Sequence, residues 1–112
     1  MQPDGARLSL TLWTTDIDAL ATFFERVAGM TVEAQHPGFA ELRCDGSTIL
    51  LHADETYRGH PWFEALQRDG AARGIGAEIR IEVDDVDAAC AAAMRIGALV
   101  VQPPYSPEPG LR

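Results

Sequence analysis

The chain has 112 residues, a mass of 12.1 kDa and a formal net charge of −8. Hydrophobic residues make up 46% and charged residues 23%, and a chain of this length buries roughly two-thirds of its unfolded surface, enough for one core without staples. Seventeen acidic residues stand against nine basic ones, all Arg, which argues against a phosphate-backbone binder with its clustered cations. Met1-Gln2-Pro3-Asp4 has neither the basic nor the apolar region of a signal peptide, and the longest apolar run, Ala88 to Met94, is too short to span a bilayer. Cys44 and Cys90 alone do not make a disulfide framework. A cytoplasmic protein with no nucleic-acid or membrane partner is expected.

Leu8-Ser9-Leu10-Thr11-Leu12-Trp13 alternates and predicts a half-buried strand. Asp16 is placed to cap a helix whose stripe is Ile17, Leu20, Phe24 and Val27, with Gly29 as its stop. Thr31 to Gln35 reads as a second strand, closed by Pro37-Gly38. Phe39 to Cys44 and Ser47 to Ala53 read as a hairpin turning at Asp45-Gly46. The pattern then lapses to Gly76, apart from a short helix predicted over Pro61 to Asp69 with Pro in its first turn. Gly70 to Gly76 reads as a linker. Glu78 to Val83 alternates strictly and predicts a strand. Asp85 caps a second helix with Val86, Ala89, Ala93 and Ile96 on its stripe, and Leu99 to Val101 reads as a short strand before a proline-rich tail.

The two halves repeat. A shift of 69 residues carries Asp16 onto Asp85, Arg26 onto Arg95, and each stripe residue of the first helix onto one of the second. Matching register in both caps and stripes points to duplication rather than shared grammar. The same shift carries Ala53, the end of the first unit, to position 122, so the second unit is expected to be incomplete within these 112 residues. An unfinished sheet leaves unpaired edge groups, so the expectation is either that another chain covers that edge or that the native chain continues past Arg112.

Two segments carry a resemblance. Leu10-Thr11-Leu12-Trp13-Thr14-Thr15-Asp16 leads into Phe23-Phe24-Glu25-Arg26-Val27-Ala28-Gly29-Met30, and Gly76-Ala77-Glu78-Ile79-Arg80-Ile81-Glu82-Val83-Asp84-Asp85-Val86-Asp87-Ala88 opens the second unit. In order and spacing they resemble the vicinal oxygen chelate superfamily, which includes glyoxalase I, bleomycin-resistance proteins and extradiol dioxygenases. The tail from Pro103 to Arg112 is similar to the loop before that family's final hairpin, whose Asp-Pro-Asp-Gly turn and last strand have no counterpart here. The resemblance implies an α+β fold: two tandem βαβββ modules forming a cup-shaped mixed sheet with helices on the outer face. It divides a single domain, 1–112, into module one (7–53), a linker (54–76) and a partial module two (77–112). It also implies a homodimer, in a family whose members often swap modules.

Alternation places Leu8, Leu10, Leu12, Ile79, Ile81 and Val83 toward the helices. Ser9, Thr11, Trp13, Phe39, Glu41, Arg43, Leu50, His52, Glu78, Arg80 and Glu82 then fall on the opposite face, where the resembling family binds ligands. Trp62 and Phe63 either cover that face as part of a pocket wall or anchor their helix to the core. Glu41, Glu78 and Glu82 favour cationic ligands unless Arg43 and Arg80 pair with them. Metal-dependent relatives use His or Glu on each module's first strand. Here those positions are Ser9, a poor ligand, and Glu78, with His52 on a neighbouring strand. Glu78 and His52 supply two ligands where a catalytic site needs three, so no cofactor is expected. His36 and His60 sit beside prolines in turns and read as solvated, and Cys44 and Cys90 read as buried apolar thiols. No nucleophile–base set is legible, so no catalytic residue is assigned. The expected function is metal-independent small-molecule binding, resembling the bleomycin-resistance proteins, in an aromatic-lined groove at a dimer interface. The alternative is a metal-dependent lyase, isomerase or dioxygenase of the same superfamily. A third class, an interaction module with no small ligand, predicts a face filled by a partner's side chains.

Overall fold

The computed structural model describes residues 7–69, 73–74 and 76–105. The residues at 1–6, most of the expected linker (70–72 and 75) and the tail from 106 onward lie outside the described residues. The elements are β1 (Ser9–Thr14), α1 (Ile17–Arg26), β2 (Thr31–His36), β3 (Phe39–Cys44), β4 (Ser47–Ala53), a 3₁₀ turn (Asp54–Tyr57), α2 (Pro61–Asp69) and α3 (Val86–Arg95). The architecture is α+β: one open mixed sheet in the order β1-β4-β3-β2, with α1 packed on it and α3 against α1. β1 runs parallel to β4, and the other pairs are antiparallel.

Local chemistry accounts for the first unit. The Asp16 side chain accepts a hydrogen bond from the Ala19 backbone N–H at 3.0 Å and so satisfies a free donor of the first turn. Gly29 ends α1 at φ 72°, a backbone conformation glycine adopts without strain. At the hairpin, Asp45 takes the positive φ, 51°. α1 buries Ile17, Ala21 and Phe24 against Ala40 and Leu42 of β3 and Ile49, Leu51 and Ala53 of β4. Leu12, Leu20, Phe23 and Val32 pack around this cluster, so every buried side chain of β3 and β4 faces α1.

Of the elements expected in the second unit, the helix is present and the strands are absent among the described residues. α3 starts 69 residues after α1, and Asp85 repeats the cap by accepting from the Ala88 N–H at 3.0 Å. Asp16→Ala and Asp85→Ala are each expected to cost about 1 kcal/mol, the usual value of such a cap. Urea unfolding reads the first as lost global stability, and amide exchange reads the second as fraying of α3.

The alternating segment from Glu78 to Val83 is not a strand and has no ladder partner among the described residues. Leu99 to Val101 is not a strand either. Both expectations are corrected for the same reason. Alternation sorts side chains to two faces, but a strand also needs a neighbour for its backbone. β1 has β4 alongside, whereas among the described residues no strand stands beside 78–83 or 99–101. Ile79, Ile81 and Val83 lie along α1 beside Phe23 and Phe24, as their alternation implies, yet Ile79 and Ile81 stay about two-fifths exposed (43% and 40%). With no sheet beneath it, α3 buries only Ala93 of its stripe.

A further correction concerns Cys44. It is exposed, at the last position of β3 before the Asp45 turn, where none of the described residues packs over it, and Cys90 is half-buried.

Candidate functional site

The sheet face turned away from α1 is ordered by strand register. Trp13 pairs with His52, and His52 with Phe39, so three rings stand in one row across β1, β4 and β3. The next row is Thr11, Leu50 and Glu41, and the one after is Ser9, Thr48 and Arg43. The face therefore grades from aromatic to polar along the strands. All eight residues expected here from the first unit occupy it.

The segment where periodicity lapses supplies the cover. The Trp62 ring of α2 lies 4.9 Å from that of Trp13, nearly perpendicular to it at 72°. Tyr57, at the end of the 3₁₀ turn, lies 5.2 Å from Trp13, 5.7 Å from His52 and 5.4 Å from Trp62. Phe39 meets His52 edge-on at 5.3 Å and stacks on His36 at 6.5 Å. His36 and His60 are exposed as expected, but His36 ends β2, paired with Phe39, instead of standing in a turn, and each lies against a ring of this cluster. The Nδ1 atom of His60 accepts from the Trp62 N–H at 3.2 Å and so holds the start of α2. Trp62 and Phe63 were open to two readings, and Trp62 both anchors α2 and forms the upper wall of the aromatic face.

One ion pair, with its carboxylate buried and its guanidinium partly in solvent, fastens this cover. Asp54 is 3% exposed and takes two hydrogen bonds from the Arg73 guanidinium, one of them at 3.0 Å to Oδ1. The same guanidinium donates to the Trp13 carbonyl at 3.1 Å. Residues 54 and 73 are thus joined at the end of β4, and the arm between them carries Tyr57 and Trp62 over Trp13. The hydrogen bond to Asp54, and behind it the attraction of its charge, raises the Arg73 pKa, while burial opposes this. Sequence reasoning missed Asp54, Tyr57 and Arg73. Two aromatic positions five residues apart, 57 and 62, were the available signal; nothing local marks the Asp54–Arg73 pair.

The carboxylates expected to draw cations are largely spoken for. Arg43 Nε donates to Glu41 at 3.1 Å, and Arg80 Nε to Glu78 at 3.0 Å. Glu78 and Arg80 stand on the unpaired segment with side chains 76% and 90% exposed, apart from the sheet rows; Glu82 is also exposed there. A groove of about 400 Å³, lined by Leu8, Leu10, Met30, Ile49, Ile79 and Ile81, separates this segment from β1.

The residues do not fit a metal. Ser9 is a weak donor, Glu78 is ion-paired in solvent, and the His52 ring is packed among Trp13, Phe39 and Tyr57. Among the described residues no group of three His, Cys, Asp or Glu side chains is placed to hold an ion.

Comparison with known proteins agrees with this fold. The family described as Glyoxalase-like domain matches residues 9–111, and the chain belongs to that family. A glyoxalase/bleomycin resistance protein/dioxygenase family enzyme from Burkholderia phytofirmans PsJN is similar at 25% identity and a TM-score of 0.65, over 88% of this chain and 78% of that one. A glyoxalase/bleomycin resistance protein/dioxygenase from Nocardioides is similar at 20% identity and a TM-score of 0.55, over 95% and 71%. A lactoylglutathione lyase from Agrobacterium tumefaciens shares the fold at 18% identity and a TM-score of 0.53, over 89% and 76%. No curated protein matches the sequence. No helix among the described residues is long and apolar enough to cross a membrane.

Proposed function

We propose that this protein binds a small molecule without a metal, holding it against the aromatic face where two copies meet with paired modules. The observation that carries the reading is the row Trp13, His52 and Phe39 roofed by Tyr57 and Trp62. Aromatic walls with few polar groups are the usual make-up of a small-molecule site. Dimerisation is supported by the free outer edge of β1 and the unpaired segment 78–83, which flank one apolar groove. A second copy bringing its own module completes both edges and closes the cup. A cytoplasmic setting suits the free thiols Cys44 and Cys90.

Two measurements test this. Titration of the pure protein with Zn²⁺, Ni²⁺, Mn²⁺ and Fe²⁺ is expected to show no stoichiometric submicromolar binding, and such binding to any of them overturns the metal-free reading. Sedimentation is expected to show a dimer; a stable monomer at micromolar concentration removes the interfacial groove. The second reading, a metal-dependent lyase, isomerase or dioxygenase, is favoured by the enzyme named among the similar structures. It requires three ligands brought together, and among the described residues no three His, Cys, Asp or Glu side chains are so placed.

A further inference from the structure

The Trp13 indole Nε1–H is buried and has no hydrogen-bond partner among the described residues. Buried donors are nearly always paired, because leaving one unpaired forfeits its bond to water. Trp13 is also the ring on which the face is organised. It contacts His52 from the sheet and Tyr57 and Trp62 from the arm. The His52 and Tyr57 rings lie against Trp13 but neither accepts from its N–H, and other polar groups nearby have partners of their own. The Trp13 carbonyl accepts from Arg73, His60 Nδ1 accepts from Trp62, and Glu41 is bonded to Arg43.

We infer that the Trp13 N–H is the recognition donor of the site, and that its ligands are flat aromatic molecules bearing a ring nitrogen or carbonyl acceptor. The inference rests on the aromatic face being the binding site. The rings covering Trp13 belong to the arm between residues 54 and 73, not to the sheet, so they can be displaced without breaking a ladder. A flat ligand replacing Trp62 or Tyr57 against Trp13 restores the aromatic contact and supplies the missing acceptor. A plain hydrocarbon restores only the contact. Sites built to hydrogen-bond a ligand reject the analogue that lacks the group, since a buried partner is then left unpaired. Charge is a weaker discriminator here, because Glu41 and Arg43 already neutralise each other.

Quinoline and naphthalene share two fused rings and differ in one acceptor nitrogen, and the two tryptophans of the chain offer two indole N–H signals, assigned with Trp62→Phe. Binding of each probe to the full chain is measured by ¹H–¹⁵N NMR titration. Quinoline is expected to bind about tenfold more tightly than naphthalene and to move the Trp13 indole N–H downfield, whereas naphthalene leaves it without that shift. In Trp13→Phe, which keeps a ring and removes the donor, the preference is expected to vanish. Equal affinity for the two probes, or a preference unchanged in Trp13→Phe, overturns the inference while leaving the binding site standing. Failure of both probes to bind overturns the aromatic face as the site, and the inference with it. The wild-type comparison and its indole shift decide the matter even if Trp13→Phe does not fold.

Discussion

Leu51→Ala is expected to lower the unfolding free energy by about 3 kcal/mol, within the range for truncating a fully buried leucine. Leu51 is 0% exposed and sits on β4, an inner strand held by β1 on one side and β3 on the other. Its side chain points at α1 among Ile17, Phe24 and Leu42, where the ladders on both sides keep the backbone from collapsing into the space left behind. Small domains have a total stability of roughly 0.05–0.15 kcal/mol per residue, so the loss is a large fraction of the whole. Leu51→Met, which nearly conserves volume, is expected to cost less than about 1.5 kcal/mol. Urea unfolding followed by circular dichroism measures both. Equal losses for the two variants contradict the packing argument.

Breaking the Asp54–Arg73 pair is expected to be asymmetric. Arg73→Ala leaves a carboxylate that is 3% exposed with no guanidinium beside it. The cost of breaking a fully buried pair is 3–5 kcal/mol, but the Arg73 side chain is 42% exposed and solvent screens it. The expected loss for Arg73→Ala is therefore about 2 kcal/mol. Asp54→Ala leaves a guanidinium that already reaches water and is expected to cost about 1 kcal/mol. The double variant is expected to be close to Asp54→Ala, because most of the penalty is the stranded charge. A double-mutant cycle in urea, with limited proteolysis near α2, measures the coupling and the loosening of the arm. The pH dependence follows from the direction of the Arg73 shift. Its pKa in the folded protein lies above the ordinary arginine value, so the contribution is complete below that value and is lost only above the raised one. Moderate alkali is thus expected to leave the arm fastened.

Much of the first unit was legible in the residues. The period-2 runs gave β1, β3 and β4, the 3.6-period stripe gave α1, and Asp16 and Gly29 marked its ends, since each signal is generated by neighbours within a few residues. The same grammar found both helix caps of the repeat and sorted Trp13, Phe39 and His52 to one face. It failed at residues 78–83, where the alternation is stricter than in β1 but no backbone partner stands alongside. It also misjudged Cys44, because parity assigns a face but does not say whether anything covers the end of the strand.

The sequence alone determined which residues can share a face and where helices begin, because these depend on local hydrogen bonding and side-chain periodicity. The tertiary structure alone decided what covers that face. Tyr57 and Trp62 reach Trp13 because Asp54 and Arg73, nineteen positions apart, meet at the end of β4. A contact between residues so far apart leaves no periodic trace in the chain. It exists only once the arm has folded back and the carboxylate has been taken out of water beside its one partner.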